Sequence, residues 1–196
     1  MAETPPQLTR RQVLTAIVWT ALALLAVGGI WVGLLKVSPV PWRFSPGLVG
    51  EGVALGLAIA LASAGLYGIW PTYRRAANSY LALVMTPLRP EDILWLGVLP
   101  GFSEEFLFRG VALPGLGAGA IALILSSSVF GLLHWAEPRH WPYSLWAIVV
   151  GFGFGTITLA TGSLVPAVVA HTVANTLAGY VWRVYGPTLG KDVTTN

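Results

Sequence analysis

Apolar windows free of charge recur along this chain, and their lengths suit membrane crossing. Residues 13–35, 52–73, 110–133 and 141–171 contain no Asp, Glu, Lys or Arg, and each exceeds the roughly 20 residues that an α-helix needs to cross a bilayer. The last window has room for most of two crossings. Between the windows stand short polar or Pro/Gly-rich breaks, 36-KVSPVPWRFSPG-47, 136-AEPRHWP-142 and 161-TGS-163, with the composition of turns. This pattern predicts an all-α, polytopic transmembrane helix bundle with six spans at about 12–35, 48–71, 91–113, 117–137, 142–161 and 164–183. The stretch 74-RRAANSYLALVMTPLRPED-92 differs: it carries three arginines around a short apolar run, which predicts an interfacial amphipathic helix kept out of the hydrocarbon. With no internal repeat, parallel or inverted, one membrane domain over 12–185 suffices, flanked by tails at 1–11 and 186–196.

Composition agrees. Of 196 residues 10% are charged and 55% hydrophobic, with a mean hydropathy of +0.72, the balance of a chain solvated by lipid. The apolar run after Arg10 and Arg11 is too long for a signal peptide and lacks a small-residue cleavage site, so it is expected to stay as a first span. The absence of cysteine excludes disulfides, thiolate metal sites and cysteine nucleophiles. A net charge of +3 does not point to nucleic acid, because the basic residues are scattered through short loops rather than gathered on one face. They mark topology instead. Arg10, Arg11, Arg74, Arg75, Arg89, Arg139, Arg183 and Lys191 fall on one side of the expected bundle and Lys36 and Arg43 on the other. That asymmetry predicts a cell-membrane protein with both termini cytoplasmic.

Against this background the informative residues are polar ones inside spans, where charge is expensive and functional by default. They are Glu104, Glu105 and Arg109 in 101-GFSEEFLFRG-110, His134 in 130-FGLLH-134, and His171 with Asn175 in 171-HTVAN-175. Glu105 and Arg109, four apart, share a helix face, as do His171 and Asn175 and, likewise, Phe130 and His134. Pro100 and Gly101 are expected to break the third span, leaving Ser103 as N-cap and both glutamates in a first helical turn near its positive end. On straight helices Glu104 would lie roughly 18 Å along its span from Asp92, whereas His134 falls near the cytoplasmic end of the next one. A break at Pro100–Gly101, a tilted or re-entrant third span, or a fourth helix extended toward Pro138 would bring them level.

Two readings compete for the glutamates. A structural ion pair of Glu105 with Arg109 accounts for two charges and strands Glu104. An unpaired carboxylate there is either desolvated or faces water, and both conditions suit a general base. Other intramembrane chemistries fail by inventory: there is no H-E-x-x-H zinc helix and no Gly-x-Ser-Gly. Asp92 and Asp192, and Lys36 and Lys191, lie outside the spans. Glu/His activation of water remains, with or without a metal. His140 is expected to sit inert in a loop beside Arg139. A proton- or solute-coupled transporter is the leading rival but predicts internal repeats; a non-catalytic membrane scaffold for a partner complex is a third reading.

The motifs E-E-x-x-x-R, F-x-x-x-H and H-x-x-x-N, in this order on successive apolar segments, resemble those of the CPBP (Abi) family, the CAAX prenyl endopeptidases and bacteriocin-processing proteins. The resemblance covers roughly 91–180. It implies an intramembrane endopeptidase core acting near the cytosolic side on a peptide or membrane-anchored protein. Glu104 with His134 would activate water, His171 with Asn175 would hold the oxyanion, and Glu105 and Arg109 would position them. The metalloprotease label given to family members implies a divalent metal such as zinc on Glu104, His134 and His171. A metal-free glutamate mechanism is equally compatible with the same residues.

Overall fold

The computed structural model describes residues 8–189; the expectations for Lys191, Asp192 and most of the two tails lie outside the described residues. Helix α1 (Arg10–Leu35) starts at a reciprocal cap between Thr9 and Gln12 and stops at Lys36, which adopts a left-handed φ of 51°. Ser45 caps α2 (Pro46–Ile69) through Leu48 N, and Pro46 supplies the preset φ that favours a first helical position. The amphipathic α3 (Pro71–Met85) follows at once. A 3-10 turn (Pro90–Asp92) leads into α4 (Ile93–Glu105), which runs on through a π-helical turn (Phe106–Ala112) and a last α turn (Leu113–Gly115). Then come α5 (Ala120–Leu132), a 3-10 turn (Pro138–His140), α6 (Trp141–Thr161) and α7 (Val165–Leu189). No strand occurs among the described residues. The protein is an all-helical bundle.

Among the described residues, three segments are long and apolar enough to cross a membrane: α1, α2, and α6 with its preceding turn (Pro138–Thr161). The expected fourth span at 117–137 is corrected: α5 has 13 residues, about 20 Å of helix against a hydrocarbon core of about 30 Å. Both of its ends are set locally. Gly117 and Ala118, at φ 99° and 53°, turn the chain after α4. At the other end the His134 ring donates Nδ1–H to the Phe130 carbonyl at 2.8 Å, satisfying a carbonyl that a terminating helix leaves open.

The expected break in α4 is also corrected, for the helix continues through Pro100 and Gly101. Ser103 caps nothing; its hydroxyl donates to Leu99 O at 2.8 Å within the helix. The glutamates therefore sit at the far end of the α-helical stretch, where no N-terminal dipole compensates them. An interior proline costs a helix about 3 kcal/mol, offset here by packing on α7. A Cβ on Gly101 would stand 2.7 Å from the Thr172 hydroxyl, and one on Gly97 would collide with the Thr176 hydroxyl and lie 2.8 Å from Thr172 O. On its other side α7 meets α2 in the same manner, with Gly52 and Gly56 lying against Val169 and Val173. Two small-x-x-x-small faces thus clasp α7, the device by which helices approach closely in lipid.

The two ends of the bundle are tied separately. At one end Arg10 grips Asp92 with two bonds of 2.7 Å, and Arg183 donates to Leu88 O. At the other, the 36–45 loop returns along the bundle, with Val40 N bonded to Gly110 O, Leu164 N to Pro41 O, and Arg43 N to the Ser163 hydroxyl.

Candidate active site

The six singled-out side chains resolve into two groups of different character. The first is dry. Glu105 and Arg109 are both 0% exposed and meet at 2.8 Å along α4, while His171 of α7 donates Nδ1–H to the same Glu105 oxygen at 2.8 Å. Arg109 also reaches α6, donating to Gly151 O at 3.0 Å, and its guanidinium lies 4.3 Å from the Phe130 ring centroid and 5.4 Å from that of Phe154. A desolvated cation above an aromatic face gains electrostatically from the ring. The ion pair that the sequence suggested is present, and it joins three helices rather than two.

Local geometry makes this possible. Glu105 and Arg109 straddle the start of the π-helical turn, a rare irregularity that concentrates at functional sites. Gly151 is required opposite, because a Cβ there would lie 2.9 Å from the Arg109 guanidinium. His171 stacks on Phe154 at 5.0 Å, which fixes its plane. Since a carboxylate only accepts, Nδ1 of His171 carries the proton.

The second group is half-open. Glu104 Oε2 lies 4.0 Å from His134 Nε2, with the two side chains 16% and 19% exposed. Glu104 Oε2 is itself buried and without a hydrogen-bond partner. The Phe130 carbonyl holds the proton of His134 on Nδ1, so the neutral ring presents a lone pair at Nε2. Two acceptors therefore face each other. The short α5 is what brings His134 level with Glu104, so none of the extended-helix or broken-helix arrangements is used.

Phe130 links the two groups, its ring lying 4.8 Å from that of His134 and 5.9 Å from that of His171. Asn175 joins neither by a direct bond; it lines, with His171 and Phe130, a cavity of about 270 Å³ between α2, α3, α6 and α7. His140, expected in the loop beside Arg139, lies in the turn Pro138–His140 and is buried there, 1% exposed, with its Nε2 paired with the Ser79 hydroxyl at 3.1 Å. Sequence reasoning also missed Gly151, a backbone acceptor with no side-chain signature, and the aromatic wall around Arg109. The G-x-x-x-G spacings at 52–56 and 97–101 were legible signals of the clasp that orients His171.

As a metal shell the donors do not fit. Among the described residues no three His, Cys, Asp or Glu side chains are grouped to hold an ion, and the two glutamates partner different imidazoles. No step below is routed through a metal.

Comparison with known families bears on this geometry. Residues 86–177, just under half of the chain, match the model of the type II CAAX prenyl endopeptidase family, Rce1-like. The matched segment belongs to that family. All six site residues lie within this Rce1-like segment, whereas α1, α2 and α3 precede it. Over this segment the chain is similar to CAAX prenyl endopeptidases. No curated protein and no solved structure matches the chain.

Proposed function

We propose that Glu104 and His134 activate a water molecule that hydrolyses a peptide bond in a membrane-associated peptide or protein. The observation that carries this reading is the pair of unsatisfied acceptors 4.0 Å apart: acceptors at such a separation are joined by a donor between them, and water is the donor that is also a nucleophile. It gives one hydrogen bond to Glu104 Oε2 and one to His134 Nε2, which aims an oxygen lone pair at the scissile carbonyl carbon.

As the carbon–oxygen bond forms, the water proton passes to Glu104. The carbonyl oxygen gains the negative charge and is held by His171 Nε2–H and the Asn175 amide. To donate there His171 carries a proton on Nε2 as well as the one it gives to Glu105 from Nδ1. Collapse of the tetrahedral species breaks the carbon–nitrogen bond, and the proton on Glu104 goes to the departing nitrogen. The products are a carboxylic acid and an amine, and the acid's proton is released to water. Arg109 touches no reacting atom; it holds Glu105 in place.

The end of the bundle that carries Arg10, Arg89 and Arg183 is taken to face the cytoplasm, following the excess of basic residues there.

The test uses purified protein in proteoliposomes and a library of internally quenched apolar peptides, with and without a farnesylated Cys-a-a-X terminus. Wild type is expected to cleave members of the library, and Glu104→Gln and His134→Phe are expected to abolish cleavage while the fold is kept. Wild-type turnover by a folded Glu104→Gln protein would remove the proposal. Elemental analysis of protein purified without chelators reads metal content in the same preparation.

A further inference from the structure

The cavity of about 270 Å³ that His171 and Asn175 line is walled mainly by apolar surface, including Ile59, Ala64, Leu81 and Val150, with Ser63, Asn78, Trp146 and several tyrosines adding polar groups. Four of these polar side chains are paired with one another. Trp146 Nε1 donates to the Ser63 hydroxyl at 2.9 Å, and the Tyr67 phenol donates to Asn78 Oδ1, also at 2.9 Å. The second bond fixes which way the Asn78 amide faces, since a phenol O–H on Oδ1 leaves Nδ2 at the opposite end. That Nδ2 is buried and has no partner. A buried donor left unpaired is destabilising, and native structures rarely keep one without reason.

The missing acceptor has a definable chemistry. It must be a neutral oxygen carried by an apolar body, because a carboxylate would strand its charge among hydrocarbon and a bare hydrocarbon chain offers no acceptor. A peptide carbonyl flanked by apolar side chains meets both conditions. It must also come from unwound backbone, because carbonyls inside a helix are already engaged.

We propose that this cavity seats an extended, apolar stretch of the substrate next to the scissile bond, and that Asn78 Nδ2 donates to one of its backbone carbonyls. Tyr67 is the positioning residue that orients the amide. The inference rests on the endopeptidase reading above but adds α2 and α3, which lie before the Rce1-like segment.

The experiment has two arms. In the first, an apolar decapeptide carrying one benzoylphenylalanine is photo-crosslinked to Glu104→Gln protein in proteoliposomes; adducts are expected on Leu81 and Val150, and adducts confined to other surfaces would overturn the proposal. In the second, kinetics on the best-cleaved quenched peptide are expected to give a KM raised roughly five- to tenfold by Asn78→Leu and less by Tyr67→Phe, with kcat lowered about twofold or less. A folded Asn78→Leu protein with the wild-type KM overturns it as well. Adducts on these walls without cleavage of any peptide would leave the binding site standing and remove the endopeptidase reading. Cleavage with an unaltered KM would do the reverse. If Asn78→Leu fails to fold, the crosslinking arm decides alone, since it uses the native cavity.

Discussion

Glu104 and Glu105 are adjacent in the chain and opposite in circumstance. Glu105 is completely enclosed and held by an arginine and a histidine at 2.8 Å each. Its neighbour is partly exposed, with an oxygen that has no partner and an imidazole 4.0 Å away. On a helix, consecutive side chains point about 100° apart, so one step of sequence moved a carboxylate from a dry three-helix junction to the edge of a crevice. Each carboxylate leaves its Oε2 without a hydrogen-bond partner, so what differs is the counter-charge: complete with one, a carboxylate is structural; without one, it is chemical. Each prediction below tries to break that division.

The largest effect is expected at the site where the charge is paired. Arg109→Ala leaves the Glu105 carboxylate buried without its counter-charge, and breaking such a pair typically costs about 3–5 kcal/mol. Thermal unfolding in detergent should register the loss as a large fall in Tm. Replacing both partners by apolar residues, as in Glu105→Leu with Arg109→Met, should recover much of that stability while leaving His171 without its carboxylate and the protein inactive. Stability that stays low in the double variant would mean that the charges themselves hold the junction together.

At the site without a counter-charge the signs reverse. Glu104→Gln preserves shape and removes only the basic oxygen, so turnover should fall by about 10²–10⁴-fold, the usual worth of a general base, with Tm near wild type. A strongly lowered Tm would show that Glu104 is structural after all, and the contrast between neighbours would collapse.

Why the sequence disclosed one part of this and not the other has a physical reason. Charged residues in an apolar window are conspicuous, and i, i+4 geometry is fixed by the helix itself, so the Glu105–Arg109 contact could be read directly. His171 reaching Glu105 could not, because α4 and α7 are far apart in sequence and their register depends on glycine contacts. Pro100 misled for a related cause: its cost to the helix is local, but the clasp on α7 that outweighs it is not. The depth of His134 was likewise hidden in the early end of α5, where a single side-chain bond to Phe130 O terminates a helix whose hydrophobicity would have carried it further. The all-helical class and the polar constellation were legible because lipid filters both so strongly.

That reliance on close approach gives a third, smaller prediction. Gly97→Val puts a branched side chain where a single Cβ already lies 2.8 Å from Thr172 O, and overpacking of this kind costs about 1–3 kcal/mol. Because Thr172 follows His171 directly, the same shift should detune the dry junction and lower turnover together with Tm. Reduced stability with full turnover would uncouple the clasp from the site and confine α7's role to architecture.

The smallest effect belongs to the ion pair at the end of the bundle, Asp92 with Arg10, which lies away from both glutamates. Asp92 is nearly enclosed while Arg10 is 41% exposed, so solvent screens the pair. The Arg10 hydrogen bonds hold the Asp92 carboxyl below its usual range, with the Arg89 backbone N–H adding to them against the opposing effect of burial. A carboxyl whose folded pKa is depressed contributes stability that is complete above its unfolded value of about 3.9 and disappears as pH falls through the folded pKa. Wild-type Tm should therefore decline as pH drops from about 5 toward 3, and Asp92→Asn should start slightly lower and decline less over the same window. High salt should shrink the gap between the two proteins. Identical slopes for wild type and Asp92→Asn would assign the acid sensitivity to other carboxylates.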